Sequence, residues 1–346
     1  VSRPQPFAGR TGDAPASPRL AFTYAAANTL AAQLADDRVL AVFGFGDGAP
    51  ACEDPRWLRV PLQPLGDSPA LIEVWRGNGP VHHGRDGDVA WATDGDLLFG
   101  AIELAEVGDD IEAAAARAYS RMGQFMAGCD TPHLLRIWNY LDAITLGDGD
   151  EERYRRFCVG RVAGMEALDA ARLPAATAIG SIDGRRRLQV YWLASRTAGT
   201  PVENPRQVSA YRYPRQYGPQ SPSFARAMLP PDGSAMPLLL SGTAAIVGHA
   251  SQHSGSVQAQ LDETLANLDS LVAAARRQAP DLPATLGAGS LLKVYVRDIA
   301  DAPAIAARLA QQLDPAVPRL LLHAQVCRRE LMVEIDGVHG APAVPG

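Results

Sequence analysis

Two stretches of this chain carry the same hydrophobic periods in the same order, and that repetition restricts the folds open to it more than any single motif does. In the first stretch, GDLLFGAIELAE (95–106) alternates as a strand, and DDIEAAAARAYSRMGQFMAG (109–128) follows with the period of an amphipathic helix. HLLRIWNYLDAI (133–144) alternates again, EERYRRFCVGRVAGMEALDAAR (151–172) is helical, and TAIGSI (177–182) with RRLQVYWLAS (186–195) reads as a strand pair. The second stretch runs PLLLSGTAAIVG (237–248) as a strand, SVQAQLDETLANLDSLVAAARRQ (256–278) as a helix and SLLKVYVRDI (290–299) as a strand. A helix over APAIAARLAQQL (302–313) and strands over RLLLHAQVC (319–327) and LMVEIDGV (331–338) complete it. HLLRIWNYLDAI and SLLKVYVRDIA share their alternation, as duplicated units would.

Each unit needs cover for alternate strand residues and for a helical stripe such as Val257, Leu261, Leu265, Leu268 and Leu271. The expected fold class is therefore α+β, with two tandem units, each a mixed sheet covered by two helices. At 346 residues the chain is long enough for two domains, placed at 1–198 and 199–346. One unit alone leaves a sheet face open. Two packed together bury both and create a cleft at the seam, a common place for a ligand.

Between the units lies VENPRQVSAYRYPRQYGPQSPSFARA (202–227), with four arginines, three tyrosines and four prolines. Disordered linkers are poor in aromatics, so the segment 199–235 reads as a functional loop. Arg206, Arg212, Arg215 and Arg226 present planar forks that grip carboxylates, and Tyr211, Tyr213 and Tyr217 add oriented hydroxyls. The loop suits a small anion with more than one carboxylate. The plainer reading is that some of these side chains glue the domains together.

The same composition excludes several function classes. A net charge of −6 argues against a nucleic-acid partner, and no apolar run reaches a bilayer-spanning length. VSRPQPFAGRTGDAPASPRL lacks the apolar centre of a secretory signal and reads as a loose arm, so a cytoplasmic location is expected. Cys52, Cys129, Cys158 and Cys327 show no CxxC spacing, which disfavours zinc and suits reduced thiols. FGFGDGAP (43–50) is followed by a proline-broken stretch rather than a helix, so it is no dinucleotide loop. The basic residues are almost all arginine, with Lys293 the only lysine. Glu334 alternates with Val333 and Ile335 in LMVEIDGV. It is either an exposed strand residue or, if its face is the seam, a desolvated carboxyl able to act as a general acid. Cys327 by default is a buried structural cysteine.

From LLLSGTAAIVG to LMVEIDGV, the C-terminal unit resembles the YjgF-like deaminase fold, and that resemblance assigns Arg319 to a substrate carboxylate and Glu334 to proton handling. More specifically, ENPRQVSAYRYPRQYGPQSPSFARA followed by LLLSGTAAIVGH resembles the chorismatase family, over the whole chain. The resemblance implies cleavage of the enolpyruvyl ether of chorismate, with release of pyruvate and no cofactor. It implies that Glu334 protonates the enolpyruvyl methylene, with a bound dianion helping to keep it protonated. Arg206, Tyr211, Arg215, Tyr217 and Arg226 then hold the substrate, while Ser241, Gly242, Ala244 and Ala245 of SGTAA shape how closely the ring sits. Cys327 is the feature associated with the branch that forms 3-hydroxybenzoate; the other branch hydrolyses the ether to a dihydroxycyclohexadiene carboxylate. An imine deaminase and a non-catalytic anion-binding protein are the alternatives. The deaminase needs a site shared by three subunits, whereas a fused pair of units suits a monomer.

Overall fold

The computed structural model describes residues 19–66, 70–165 and 169–341, so the N-terminal arm other than Arg19 and Leu20 lies outside the described residues. The middle unit begins with the strands β6 (His82–Asp86), β7 (Val89–Thr93) and β8 (Leu97–Ala105), reached after five earlier strands, β1 to β5, described below. Helix α2 (Ile111–Met126), β9 (His133–Asp142), helix α3 (Arg153–Gly164), β10 (Ala175–Ser181) and β11 (Arg187–Ser195) follow. They form a six-stranded sheet in the order β10-β9-β11-β8-β7-β6. The Asp110 carboxylate caps α2 by accepting from the Ala113 amide at 3.1 Å. Gly160 and Gly164 of α3 lie against the backbone of α2, where any Cβ would overlap the carbonyls of Glu112 and Ala116.

The C-terminal unit repeats this plan. It runs β12 (Thr200–Val202), β13 (Ala227–Leu229), β14 (Leu238–Ala244), a short hairpin of β15 (Ile246–Val247) and β16 (Ala250–Ser251), and helix α4 (Val257–Arg276). β17 (Leu291–Val296), helix α5 (Ala302–Gln312), β18 (Arg319–His323) and β19 (Val333–His339) complete it. The order β12-β13-β14-β19-β17-β18 matches β6-β7-β8-β11-β9-β10 strand for strand. In both units the strand after the first long helix pairs parallel on one side and antiparallel on the other. The fold is thus α+β with tandem units, as the repeated periods indicate.

Four of the five strands described before residue 82 form a sheet of their own. β1 (Leu20–Ala26), helix α1 (Leu30–Ala35), β2 (Val39–Phe45), β3 (Trp57–Val60) and β5 (Leu71–Gly77) pair in the order β1-β5-β2-β3. This matches β8-β11-β9-β10, with β2 and β3 parallel as β9 and β10 are. It is a reduced third copy, and the central strands carry the trace in sequence: Leu40-Ala41-Val42-Phe43, Leu135-Arg136-Ile137-Trp138 and Leu292-Lys293-Val294-Tyr295. The intervening two-residue strand β4 (Gln63–Pro64) adds to the edge of the third sheet beside β18. The stretch 199–235 is likewise less irregular than expected, since β12 and β13 lie within it.

The three sheets turn their inner faces to one core, in which Phe43, Trp75, Phe99, Trp138, Tyr191 and Tyr295 are buried. Trp138 and Tyr191 stack with centroids 4.8 Å apart. Inside this core sits a charged cluster drawn from all three sheets. Lys293 donates to Glu73 at 3.0 Å, with Asp336 3.9 Å away, and Arg136 donates to Asp336 at 3.0 Å. The same Asp336 oxygen accepts from Trp138 Nε1 at 3.0 Å, the Tyr295 hydroxyl at 3.0 Å and the Thr177 hydroxyl at 2.8 Å. Removing one partner of such a cluster strands a buried charge. Lys293→Met should therefore lower the unfolding free energy by about 3–5 kcal/mol. Denaturant unfolding checks this, and a loss below about 1 kcal/mol would show that the cluster does not hold the sheets together.

Candidate active site

The middle and C-terminal sheets meet where β10 runs beside β14. Ser241 joins them, accepting from the Ala176 amide at 2.9 Å and donating to the Ala225 carbonyl at 2.6 Å. Further along, Gly180 and Gln325 exchange backbone bonds at 2.7 and 2.8 Å. Between these ties opens a cavity of about 460 Å³. Its walls are α3, β10, the 213–226 segment, β14, the 327–330 turn and β19.

Glu334 projects into this cavity from β19, directly across the ladder from Ala244. The register between β14 and β19 slips between Leu240 and Thr243, and Gly242 lies in that bulge. A Cβ on Gly242 would overlap the Glu334 carboxyl, so glycine is what makes room for it. Burial pushes the Glu334 carboxyl up to about 8, and the neighbouring Asp336 adds to the shift against the opposing pull of Arg136, Arg226 and Arg328. At neutral pH this side chain holds a proton. Cys327 lines the same wall, and burial, with Glu334 beside it, raises its thiol well above the ordinary range, so it too stays protonated. Tyr154 on α3 is raised in the same way, first by burial.

Facing the acid is a set of guanidinium groups. Arg161 of α3 is 3% exposed, and its Nε and Nη2 are buried with no hydrogen-bond partner among the described residues. Its planar face lies 5.1 Å from the Tyr119 ring. Arg226 donates to the Tyr213 hydroxyl at 2.7 Å and the Val208 carbonyl at 3.0 Å, and its Nε has no partner among the described residues. Arg328 donates to the His249 carbonyl at 2.9 Å and stacks 4.0 Å over Tyr217. An unpaired buried guanidinium is costly without an anion, and the cavity supplies a place for one.

The residues singled out in the sequence divide between cavity and scaffold. Glu334, Cys327, Tyr217, Arg226, Gly242 and Ala244 all line the cavity. Ser241 stands behind it, buried and joining the two sheets. Arg206 is turned away to Glu263 and Asn267 at 2.5 and 2.9 Å, and Arg215 forms an exposed pair with Asp150 at 2.6 Å. Tyr211 packs beside Arg212 outside the lining. Arg319 is also outside it. It lies level with Leu292 and Gly337, three residues along the ladder from Glu334 and on the far side of β17, so it cannot deliver a guanidinium to this cavity. Arg161, Arg328, Tyr154 and Thr177 are cavity residues that the sequence reading missed. One signal was present: Arg161 falls on the same helical stripe as the buried Phe157 and Gly164.

Comparison with known proteins places this arrangement. Residues 73–194 match the family model described as chorismatase FkbO/Hyg5-like, N-terminal. A chorismatase of Streptomyces hygroscopicus is 36% identical over 280 residues, covering 79% of this chain and 80% of the relative. A 3-hydroxybenzoate synthase of the same organism is 36% identical over 278 residues, 78% of this chain and 81% of the relative. A crystal structure of a chorismatase superposes with a TM-score of 0.83 at 31% identity, covering 94% of this chain and all of that one.

The raised Glu334 carboxyl makes stability depend on pH. The folded state binds one proton more than the unfolded chain between the ordinary value of 4.5 and about 8, so stability falls as pH rises through that window and levels off above it. Glu334→Gln should remove this slope, a difference on the order of a few kcal/mol between pH 5 and 8.5 in unfolding free energy. Equal slopes in the two proteins would place the carboxyl in water.

Proposed function

The chain belongs to the chorismatase family, and on that premise we propose that it cleaves chorismate to 3-hydroxybenzoate and pyruvate, with Glu334 as the acid. The observation that carries the reading is the pairing, in one buried cavity, of a protonated Glu334 with the unsatisfied guanidinium of Arg161. Chorismate brings two carboxylates, which Arg161, Arg226 and Arg328 suit, and the tyrosines 213 and 217 hold two of those arginines in place.

In this mechanism Glu334 gives its proton to the enolpyruvyl methylene, and the adjoining carbon takes on oxocarbenium character. The neighbouring ring hydroxyl displaces the enolpyruvyl oxygen at the ring carbon and gives up its own proton, which restores Glu334, and pyruvate leaves. The arene-oxide-like intermediate then opens to the phenol, its oxygen gaining one proton as the ring carbon loses another, so the protons balance and no water is consumed. Cys327 fits the final transfer because burial keeps its thiol protonated: it can hand on one proton as it accepts another, without a free thiolate. The small side chain of Ala244, opposite Glu334, leaves the ring room to sit close to the acid. One chain contains all three sheets and both sides of the seam, which supports a monomer as the working unit.

Three outcomes check the proposal with chorismate alone in buffer. Glu334→Gln should lower kcat by about 10²–10⁴ while binding survives; near-normal turnover would remove Glu334 from the acid's role. Arg161→Ala should lower kcat/KM by an amount equivalent to about 2–5 kcal/mol, and an unaltered value would take Arg161 out of the substrate's contacts. Cys327→Val should shift the product toward the dihydroxycyclohexadiene carboxylate with pyruvate release retained, as read by chromatography and mass. An unchanged product ratio would show that Cys327 does not steer the outcome.

A further inference from the structure

Thr177, on β10 of the middle unit, stands between the central charged cluster and the cavity. Its hydroxyl has one proton and two lone pairs, and all three are committed. It donates to Asp336 Oδ2 at 2.8 Å, accepts from Arg136 Nη2 at 2.5 Å and accepts from the Gly242 amide at 2.9 Å. The Gly242 amide is thus held from the neighbouring unit, at the point where the β14–β19 register slips and beneath the Glu334 carboxyl. Asp336, two residues from Glu334 on β19, projects from the same face of that strand. The Thr177 side chain is 3% exposed, yet it forms part of the cavity wall.

Resting on the reading of Glu334 as the acid, we infer that Thr177 is a positioning residue, whose hydroxyl fixes the Glu334 carboxyl through the Gly242 backbone and the Asp336 carboxylate. The middle unit therefore sets the aim of an acid that belongs to the C-terminal unit. Asp336, Arg136, Arg226, Arg328, Cys327, Tyr154 and Arg161 are the charged and titratable groups around that carboxyl. Thr177 contacts the first two of them directly. Without its hydroxyl the Gly242 amide, the Asp336 oxygen and the Arg136 fork each lose a partner, the bulge loosens, and water reaches Glu334.

The test compares Thr177→Val, which keeps the shape without the hydroxyl, with Thr177→Ser, which keeps the hydroxyl. With chorismate, Thr177→Val should lower kcat about tenfold or more with KM within about twofold, and Thr177→Ser should recover to within about threefold of the parent. In the ligand-free protein, the infrared carbonyl band of protonated Glu334, identified as the band missing from Glu334→Gln, should titrate at lower pH in Thr177→Val by at least about half a unit. Thr177→Ala carries the same expectations and serves if Thr177→Val is unfolded. A parent-like kcat and titration, or a change confined to KM, would overturn the inference, the latter by making Thr177 a substrate contact. Failure of the parent protein to turn over chorismate would sink the reading of the activity, and the infrared titration would still decide the positioning role.

Discussion

The structure depends on four charges buried where three sheets meet. Glu73 comes from the first sheet, Arg136 from the second, and Lys293 and Asp336 from the third. Removing these groups from water is expensive, and their mutual attraction offsets that expense only because each is also hydrogen-bonded. Asp336 Oδ2 alone gathers Arg136, Trp138, Thr177 and Tyr295. A purely apolar core could pack as well, but it would not fix which sheet lies against which. The charged cluster has one arrangement that pairs every ion, and that arrangement sets the seam between β10 and β14 on which the cavity depends.

Three related sheets create related positions, and their different occupants explain the character of the acid. Glu334 lies across the ladder from Tyr295, Tyr191 from Trp138 and Glu73 from Phe43, and in each pair the partner is the aromatic residue of the shared four-residue pattern. Tyr191 fills its place by stacking on Trp138. Glu73 is neutralised by Lys293 and also accepts from Trp75 Nε1 at 2.7 Å. Among the described residues Glu334 has neither a stacking partner nor an ion pair. It keeps its proton because burial disfavours the ionised form and Asp336 nearby adds repulsion, which together outweigh the pull of Arg136, Arg226 and Arg328.

Much of this was legible in the sequence, and the exceptions have physical causes. The tandem units could be read because helices and strands such as 257–276 and 291–296 carry strong periods that tertiary packing respects. The reduced first copy was not read, since its helix spans only Leu30–Ala35 and no second helix stands between β2 and β3. Glu334 could be found because its strand and the family resemblance both single it out, whereas Cys327, in a turn, and Gly242 and Ala244, at a bulged strand, rest on the resemblance. The arginines of the 202–227 segment could not be sorted, because an irregular loop has no period: Arg226 turns inward to Tyr213 while Arg215 turns outward to Asp150. Arg161 was hidden as one of the four arginines of α3. Thr177 carried no signal at all, as its role exists only across a seam between units.

The central claim is that a carboxyl kept protonated by burial drives the chemistry. Its most direct test is the pH dependence of kcat/KM for pyruvate release from chorismate. The free protein's acid must carry its proton, so the account predicts a rate that is level through neutral pH and falls about tenfold per unit above a midpoint near 8, where Glu334 titrates. A rate that climbs through the same range would mean that the group acts as a base, and would contradict the account.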